Sequence, residues 1–387
     1  MTAAPTPAWG RAARSEWDLD PDFLTVNHGS FGATPLCVRA EQDRWRARME
    51  RQPTRFMARL PPLLREAADA LGAFLGAQGR DIAFVDNATT GCNAVLRSLP
   101  LAAGGEVLVL DHVYNAVRNT VRFVTERAGA VMTVATLPFP ATTEDAAVAA
   151  ITRALTARTK LAVIDHITSA SALVLPIERI VAACHAAGVA VLVDGAHAPG
   201  QIDLDLTAIG ADWYTGNCHK WLCAPKGSAF LWTAPGRQSG LHPTVISHGL
   251  DQGYLSEFDW TGTRDPTAIL AIPAALAFHE RMGGAALRAR NTALAAEGAA
   301  LVARRLNTEA GVTGPMAGAM GLVRVPWSGD ALSLRMRLLD AGTDAPVHAI
   351  DGANWLRLSA FAYNDIDDYA QLADIVADAT RDDKYDP

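Results

Sequence analysis

Cysteine is scarce in this sequence, long apolar runs are missing, and neither sign of charge dominates. The five cysteines, at 37, 92, 184, 218 and 223, are odd in number and unpaired in spacing. That excludes a disulfide framework and points to a reducing compartment. The longest nearly apolar stretches, around 186–193 and 268–278, fall short of the roughly 18 residues a membrane span needs. The N-terminus, Met-Thr-Ala-Ala-Pro-Thr-Pro, has no charged segment leading into an apolar core, so no secretory signal is read. Lys and Arg number 34 against 41 Asp and Glu, a scattered balance of −7 that gives no electrostatic footprint for nucleic acid. Neither a Gly-x-Gly-x-x-Gly fingerprint nor a Walker loop is present, which leaves a dinucleotide or ATP site unsupported. A cytoplasmic, enzyme-sized chain remains, with no nucleic-acid or membrane partner expected.

What is there has a clear rhythm. Short β-branched runs, Ile82–Val85, Val107–Leu110, Val131–Val134, Leu161–Ile164 and Val189–Val193, alternate with amphipathic segments near 91–99, 115–128, 143–157 and 177–187. A further helix is expected over 62–76, where Leu63, Leu64, Ala67, Leu71, Phe74 and Leu75 share one face. Strands alternating with helices predict an α/β fold with a mostly parallel sheet covered on both faces. Beyond residue 235 the pattern changes to a long Ala-rich helical stretch, 267–306, interrupted at Gly283-Gly284. Strands near 321–325 and 347–357 and helices near 330–340 and 366–379 follow. The expected division is an N-terminal arm (1–20), a large domain (21–255) and a smaller α+β domain (256–387).

In a parallel α/β sheet, ligands bind beyond the carboxyl ends of the strands. After Ile82–Val85 comes Asp86-Asn87-Ala88-Thr89-Thr90-Gly91, opening a helix, where hydroxyls and free N–H groups suit a phosphate or serve as an ordinary cap. After Val189–Val193 comes Asp194-Gly195-Ala196-His197, a strand-end carboxylate in an apolar setting. Another short strand ends in Asn217-Cys218-His219-Lys220, with the lysine 26 residues beyond Asp194. A lysine in a dry site deprotonates readily and becomes a nucleophile. Each signal alone has a bland reading. Together they are the parts that hold pyridoxal 5′-phosphate (PLP): a phosphate cradle, a partner for the pyridinium nitrogen, and a Schiff-base lysine.

The sequence resembles the class V aminotransferases of the fold-type I PLP enzymes, and within them the isopenicillin N epimerase-like branch. The resemblance runs from Asn27-His28-Gly29-Ser30-Phe31-Gly32 to Arg357-Leu358-Ser359, and is most specific at 193–198, 216–222 and Trp260-Thr261-Gly262-Thr263-Arg264-Asp265-Pro266. It implies a sheet of seven-stranded type with a smaller C-terminal domain. Lys220 is implied as the cofactor's lysine, Asp194 as partner of the ring nitrogen, and His197 as neighbour of the ring hydroxyl. Thr89, Thr90, Asn217 and His219 are implied around the phosphate. Gly262-Thr263 would come from a neighbouring subunit, which implies a homodimer. For the residue stacked on the ring, alignment of Ala116 with the family's small residue selects Tyr114, and an ungapped reading selects His112; Tyr114 is preferred. Ser169 stands where relatives carry an Asn. Arg357 matches the arginine that clamps the substrate α-carboxylate, a planar group suited to a bidentate guanidinium. Asn27, His28, Arg55 and Arg264 complete the expected substrate side. No metal site is expected, because the Cys218-x4-Cys223 spacing has no second pair to support it.

These parts predict chemistry at the Cα of an amino acid or amino-acid conjugate, with Lys220 moving the proton. Epimerisation is placed first, from the nearest branch of the family, with His28, His112 and Tyr254 as guesses for a second base. A C–S lyase (β-elimination) and an aminotransferase are the alternatives. Cysteine desulfuration is disfavoured because no Cys follows Cys223 to accept sulfur. A PLP-like fold reduced to a binding module is disfavoured because both Lys220 and Asp194 are present.

Overall fold

The computed structural model describes residues 8–381. The first seven residues of the expected arm and the last six of the expected small domain lie outside the described residues. The large sheet is built from β1 (Ile82–Val85), β2 (Glu106–Leu110), β3 (Val131–Ala135), β4 (Thr159–Asp165), β5 (Ala190–Asp194), β6 (Trp213–Asn217) and β7 (Ala229–Thr233), in the order β1-β7-β6-β5-β4-β2-β3. From β6 to β3 every pairing is parallel. β7 alone runs antiparallel, to both β1 and β6.

The helices Ala88–Ser98, Asn115–Ala128, Glu144–Ala154 and Ile177–Ala186 fall where the amphipathic segments predict them. Alternate residues of the strands enter two different clusters: Phe84, Leu108, Ile164 and Val193 face one side, and Ala83, Val109, Val163 and Leu192 the other. The sheet is thus buried on both faces, the reason its strands read as short apolar runs. β7 was not expected. It follows β6 after a loop, Cys218–Ser228, that contains Pro225 and Gly227 and no helix, so the chain returns beside β6 instead of crossing over. That returning loop carries His219 and Lys220.

The smaller lobe is an antiparallel sheet, β8 (Met320–Arg324), β10 (Ala353–Ser359) and β9 (Val347–Ile350), in that spatial order. Helices Ala285–Arg305, Ala331–Asp340 and Ile366–Arg381 accompany it. The single strand expected over 347–357 is instead a hairpin. Asp351 and Gly352 both take positive φ, 48° and 74°, as a two-residue turn between paired Ile350 and Ala353 demands. The long helical stretch breaks into Thr267–Leu270, Ile272–Arg281 and Ala285–Arg305, and the last break falls at the two glycines, as expected.

Two segments tie the lobes together. Leu24 and Val26 lie in the core cluster of the small lobe, where Leu24 N–H donates to Gly342 O and Val26 O accepts from Ser359 N–H. The described part of the N-terminal arm is also strapped down: Trp17 packs edge-on against Phe278 and Tyr363, and Arg14 pairs with Asp368 at 2.7 Å. Among the described residues, no helix is long and apolar enough to cross a membrane.

Candidate active site

Strand ends β1, β4, β5 and β6 converge on a cavity of about 470 Å³. Of the expected site residues, Thr89, Thr90, Tyr114, Ser169, Asp194, His197, Asn217, His219 and Lys220 line it. Three elements separated in sequence by up to about 130 residues are therefore brought to one place by the parallel register of the sheet.

The end of the cavity where a phosphate is expected is a helix N-terminus. Asn87 caps the helix Ala88–Ser98 by accepting from Thr90 N–H at 2.9 Å, and Asn217 on β6 accepts from Ala88 N–H at 2.9 Å. The helix sits hard against the sheet at Gly91, where a Cβ would lie 2.2 Å from Thr215 Oγ1. His219 is joined through Nδ1 to Ser228 O at 3.1 Å, leaving Nε2 for the cavity. Burial holds its ring to about 4, and an anion alongside would restore the proton.

At the other end Lys220 Nζ lies 3.2 Å from His197 Nε2. Burial, then the charge of Arg357, bring the Lys220 amine down to about 7, so near neutrality much of it is the free base. His197 is fully buried, its Nδ1 has no hydrogen-bond partner, and burial holds its ring well below the usual histidine range. Burial pushes Asp194 up, and the Ala196 N–H at 3.0 Å and Lys220 pull it back. A cation placed against Asp194 would be the natural completion of that carboxylate.

Arg357, on β10, reaches this wall from the small lobe. Its Nη1 donates to Ser169 O at 2.5 Å and Ser169 Oγ at 3.3 Å; its Nη2 donates to Ser30 Oγ at 2.9 Å and Asn27 Oδ1 at 3.2 Å. All four acceptors are neutral. The carboxylate that acts on Arg357, Asp344, is taken by a two-pronged bond from Arg335 and by Asn27 Nδ2. Burial lowers the Arg357 guanidinium to about 10, still protonated at neutral pH. A buried cation held by neutral oxygens is set up to take a carboxylate.

Other expected residues are elsewhere. His28 is a core residue: its ring stacks on Phe361 at 3.7 Å, Nδ1 meets Tyr363 Oη at 2.8 Å and Nε2 meets Lys220 O at 3.0 Å. It supports the backbone of Lys220 and does not line the cavity, a correction to its expected place on the substrate side. His112, the alternative to Tyr114, is buried and bound to Ser171 Oγ at 2.6 Å, outside the cavity lining. Arg55 is exposed on the helix Pro53–Ala58 and also lies off the lining. Arg264 pairs with Asp86 at 2.8 Å, next to the capping Asn87. Gly262 lies with Leu64 and Trp260 in a separate depression, and within a single chain neither it nor Thr263 lines the cavity. Asn27 acts through Arg357 and not on the cavity itself.

The sequence reading missed Asp165, Ile167 and Phe31, all of which line the cavity. Asp165 had a signal. It closes β4 at the position Asp194 holds on β5, one residue beyond the apolar run Leu161–Ile164.

Residues 37–340 match the family model described as aminotransferase class-V. The chain belongs to the class-V aminotransferase family. It is 35% identical to isopenicillin N epimerase of Amycolatopsis lactamdurans, over 97% of this chain and 99% of that protein. It is 33% identical to a probable chloroplastic L-cysteine desulfhydrase of Arabidopsis thaliana, over 94% of this chain and 84% of that protein. Among solved structures, the cystine C–S lyase C-DES in complex with its product cysteine persulfide superposes with a TM-score of 0.79 at 21% identity, covering 92% of this chain and 98% of that one. A C-DES variant with glycine covalently linked to its PLP cofactor gives 0.81, covering 94% and 99%. At that identity the likeness is one of fold. The cofactor of this class-V enzyme is PLP, and the cavity fits it: a helix N-terminus for the phosphate, a buried carboxylate for the ring nitrogen, an orphaned His197 nitrogen and a free-base lysine.

Proposed function

We propose that this enzyme removes the Cα proton of an amino acid or amino-acid conjugate, with Lys220 as the base. The observation that carries this reading is the Lys220 amine, buried at one end of the cavity and held to about 7. A base poised near the working pH is what proton transfer needs. PLP, when bound, supplies the electron sink for charge developing at Cα. Arg357 holds the substrate carboxylate, and Asp194 keeps the ring nitrogen charged.

Among the possible outcomes we place β-elimination of a sulfur leaving group from cysteine or a cysteine conjugate first. Inversion calls for proton delivery on the face opposite Lys220, and the three side chains considered for it are engaged elsewhere. His28 is bonded at both nitrogens, His112 is bonded to Ser171, and Tyr254 is buried against Leu231 O and Thr233. Elimination needs the one base and an acid near the sulfur leaving group, and no second base on the opposite face. The identity to L-cysteine desulfhydrases supports it. Epimerisation is the second reading, supported by the 35% identity to an isopenicillin N epimerase. Transamination is the third, and desulfuration is disfavoured because the sequence has no Cys after Cys223.

A panel of amino acids and cysteine conjugates incubated in deuterated water tests these readings. Pyruvate with ammonia supports elimination. Inverted substrate carrying deuterium at Cα would replace it with epimerisation, and product formed only with added keto acid would replace it with transamination. A Lys220→Ala variant that still exchanged the α-proton would sink the role of Lys220 in all of them.

A homodimer with shared sites belongs to the same proposal. Supporting it are Gly262-Thr263, which lie off the cavity of their own chain, and the exposed apolar residues Phe31, Tyr114, Val245, Ile246 and Leu250. Sedimentation should give twice the chain mass, and a monomer with full activity would refute it.

A further inference from the structure

One titratable group in the cavity has no part in the chemistry described so far. Asp165 ends β4 in register with Asp194 at the end of β5. Neighbouring strands lie about 4.8 Å apart, and in-register side chains of a parallel pair point to the same side. Both residues line the cavity, and both are buried, at 2% and 3% exposure. Asp165 Oδ2 has no hydrogen-bond partner, while its Oδ1 receives a long 3.4 Å bond from Tyr114 N–H.

Two ionised carboxylates side by side in a dry site repel each other, so the pair keeps one proton. Among the described residues the cations that act on the pair are Arg118, on Asp165, and Lys220, on Asp194, and neither offsets burial and mutual repulsion. Arg118, on the helix Asn115–Ala128, spends its Nη2 on the carbonyls of Leu110 and Asp111. Lys220, brought down to about 7, carries only part of a charge near neutrality. Cys92 and Tyr214, which also feel the pair, are buried in their neutral forms. Asp194 has the Ala196 N–H at 3.0 Å to hold its charge, and Asp165 Oδ2 has nothing comparable. The proton therefore belongs on Asp165, whose carboxyl is pushed well above its ordinary range by burial and then by Asp194.

We propose that Asp165 is a second acid of this pocket, a neutral carboxylic acid beside the ionised Asp194 whose Oδ2 hydroxyl donates a hydrogen bond to bound PLP. The inference rests on the reading of the cavity as the cofactor site. The pair then presents one negative charge, enough for one pyridinium, and one directed donor. An isolated carboxylate in the place of Asp165 would leave a buried charge unmatched.

Infrared spectra of the full chain near neutral pH, in water and in deuterated water, read the proton directly. The wild type should show the C=O band of a protonated carboxylic acid, absent in Asp165→Asn and retained in Asp194→Asn. The band should move when PLP is added. In PLP titrations Asp165→Asn should bind within about twofold of wild type, and Asp165→Leu about tenfold more weakly, the scale of one lost neutral hydrogen bond. A protonated band that survives in Asp165→Asn overturns the proposal. So does a band unmoved by PLP together with wild-type affinity in Asp165→Leu. Wild-type protein that gains no visible absorbance with PLP refutes the cofactor reading itself and takes the proposal with it, and the missing colour identifies that failure.

Discussion

Lys220 Nζ lies 3.2 Å from His197 Nε2, near the start of a loop that turns back between two antiparallel strands. The contact joins the lysine to the strand-end segment that begins at Asp194. It also places two nitrogen bases in a site where burial keeps His197 neutral and leaves much of Lys220 as the free base near neutrality. The first prediction follows from that pairing. Loading of PLP onto the apo-protein requires the free amine, so its rate should rise with pH and level off above about 7, not near the ordinary lysine value of 10.5. The sign follows from the lowered pKa: below about 7 the amine is protonated and the rate falls tenfold per unit. Stopped-flow absorbance across pH 5 to 9, a range of about four units around that pKa, measures it. A rate still climbing at the top of the range would show that the amine is not depressed.

Arg357 is the second target. Arg357→Ala should raise the KM for amino-acid substrates by about one to two orders of magnitude, the worth of a charge-assisted pair, and leave the PLP chromophore intact. Arg357→Lys should not restore binding, because a point charge cannot reproduce the fork held by Ser169, Ser30 and Asn27. Steady-state kinetics on both variants, with absorbance for cofactor content, decide the matter.

Gly91 separates the phosphate end from the rest. An alanine there would put its Cβ 2.2 Å from Thr215 Oγ1, so the N-terminal turn of the helix must lift from β6. Gly91→Ala is expected to weaken PLP binding by about tenfold or more and to cost on the order of 1–3 kcal/mol of stability through overpacking. Cofactor titration and denaturant melts give the two numbers. Unchanged affinity would show that the helix position does not set the phosphate site.

Acid should unfold this protein early. Burial holds His28, His166 and His348 to about 3 against an ordinary 6.5. In the unfolded chain they take up protons below 6.5, and in the folded chain only near 3. Stability is therefore full above 6.5 and is lost as pH falls through that window, by about 1.4 kcal/mol per group per pH unit. His28→Phe keeps the stacking on Phe361 but removes one titration, and should flatten the slope by about a third of this contribution. Urea midpoints measured from pH 7 down to about 4 test this.

Most of the site could be read locally. Lys220, Asp194, His197, Thr89 and Thr90 line one cavity because each follows a strand, and the ends of neighbouring strands converge in space. Asp165 follows the same rule and was passed over, because an apolar run gives no sign of where its last residue turns into the site. His28 was misplaced for the opposite reason. A histidine in a motif looks the same in sequence whether its ring faces a ligand or, as here, Phe361 and Tyr363. Ser169 looked like a departure from the family's Asn; its carbonyl and hydroxyl hold Arg357 from 188 residues away.

The alternation of strands and helices from β1 to β5, the break at Gly283-Gly284 and the strand-end position of Lys220 were determined by the sequence alone, because periodicity and turn residues act over a few neighbours. Tertiary structure decided the reversal of β7, the pairing of Asp165 with Asp194, and the neutral cage around Arg357. Those depend on which strands lie side by side and on what water is excluded, and burial, which sets the charge on Lys220 and on Asp165, is a property of the packed chain.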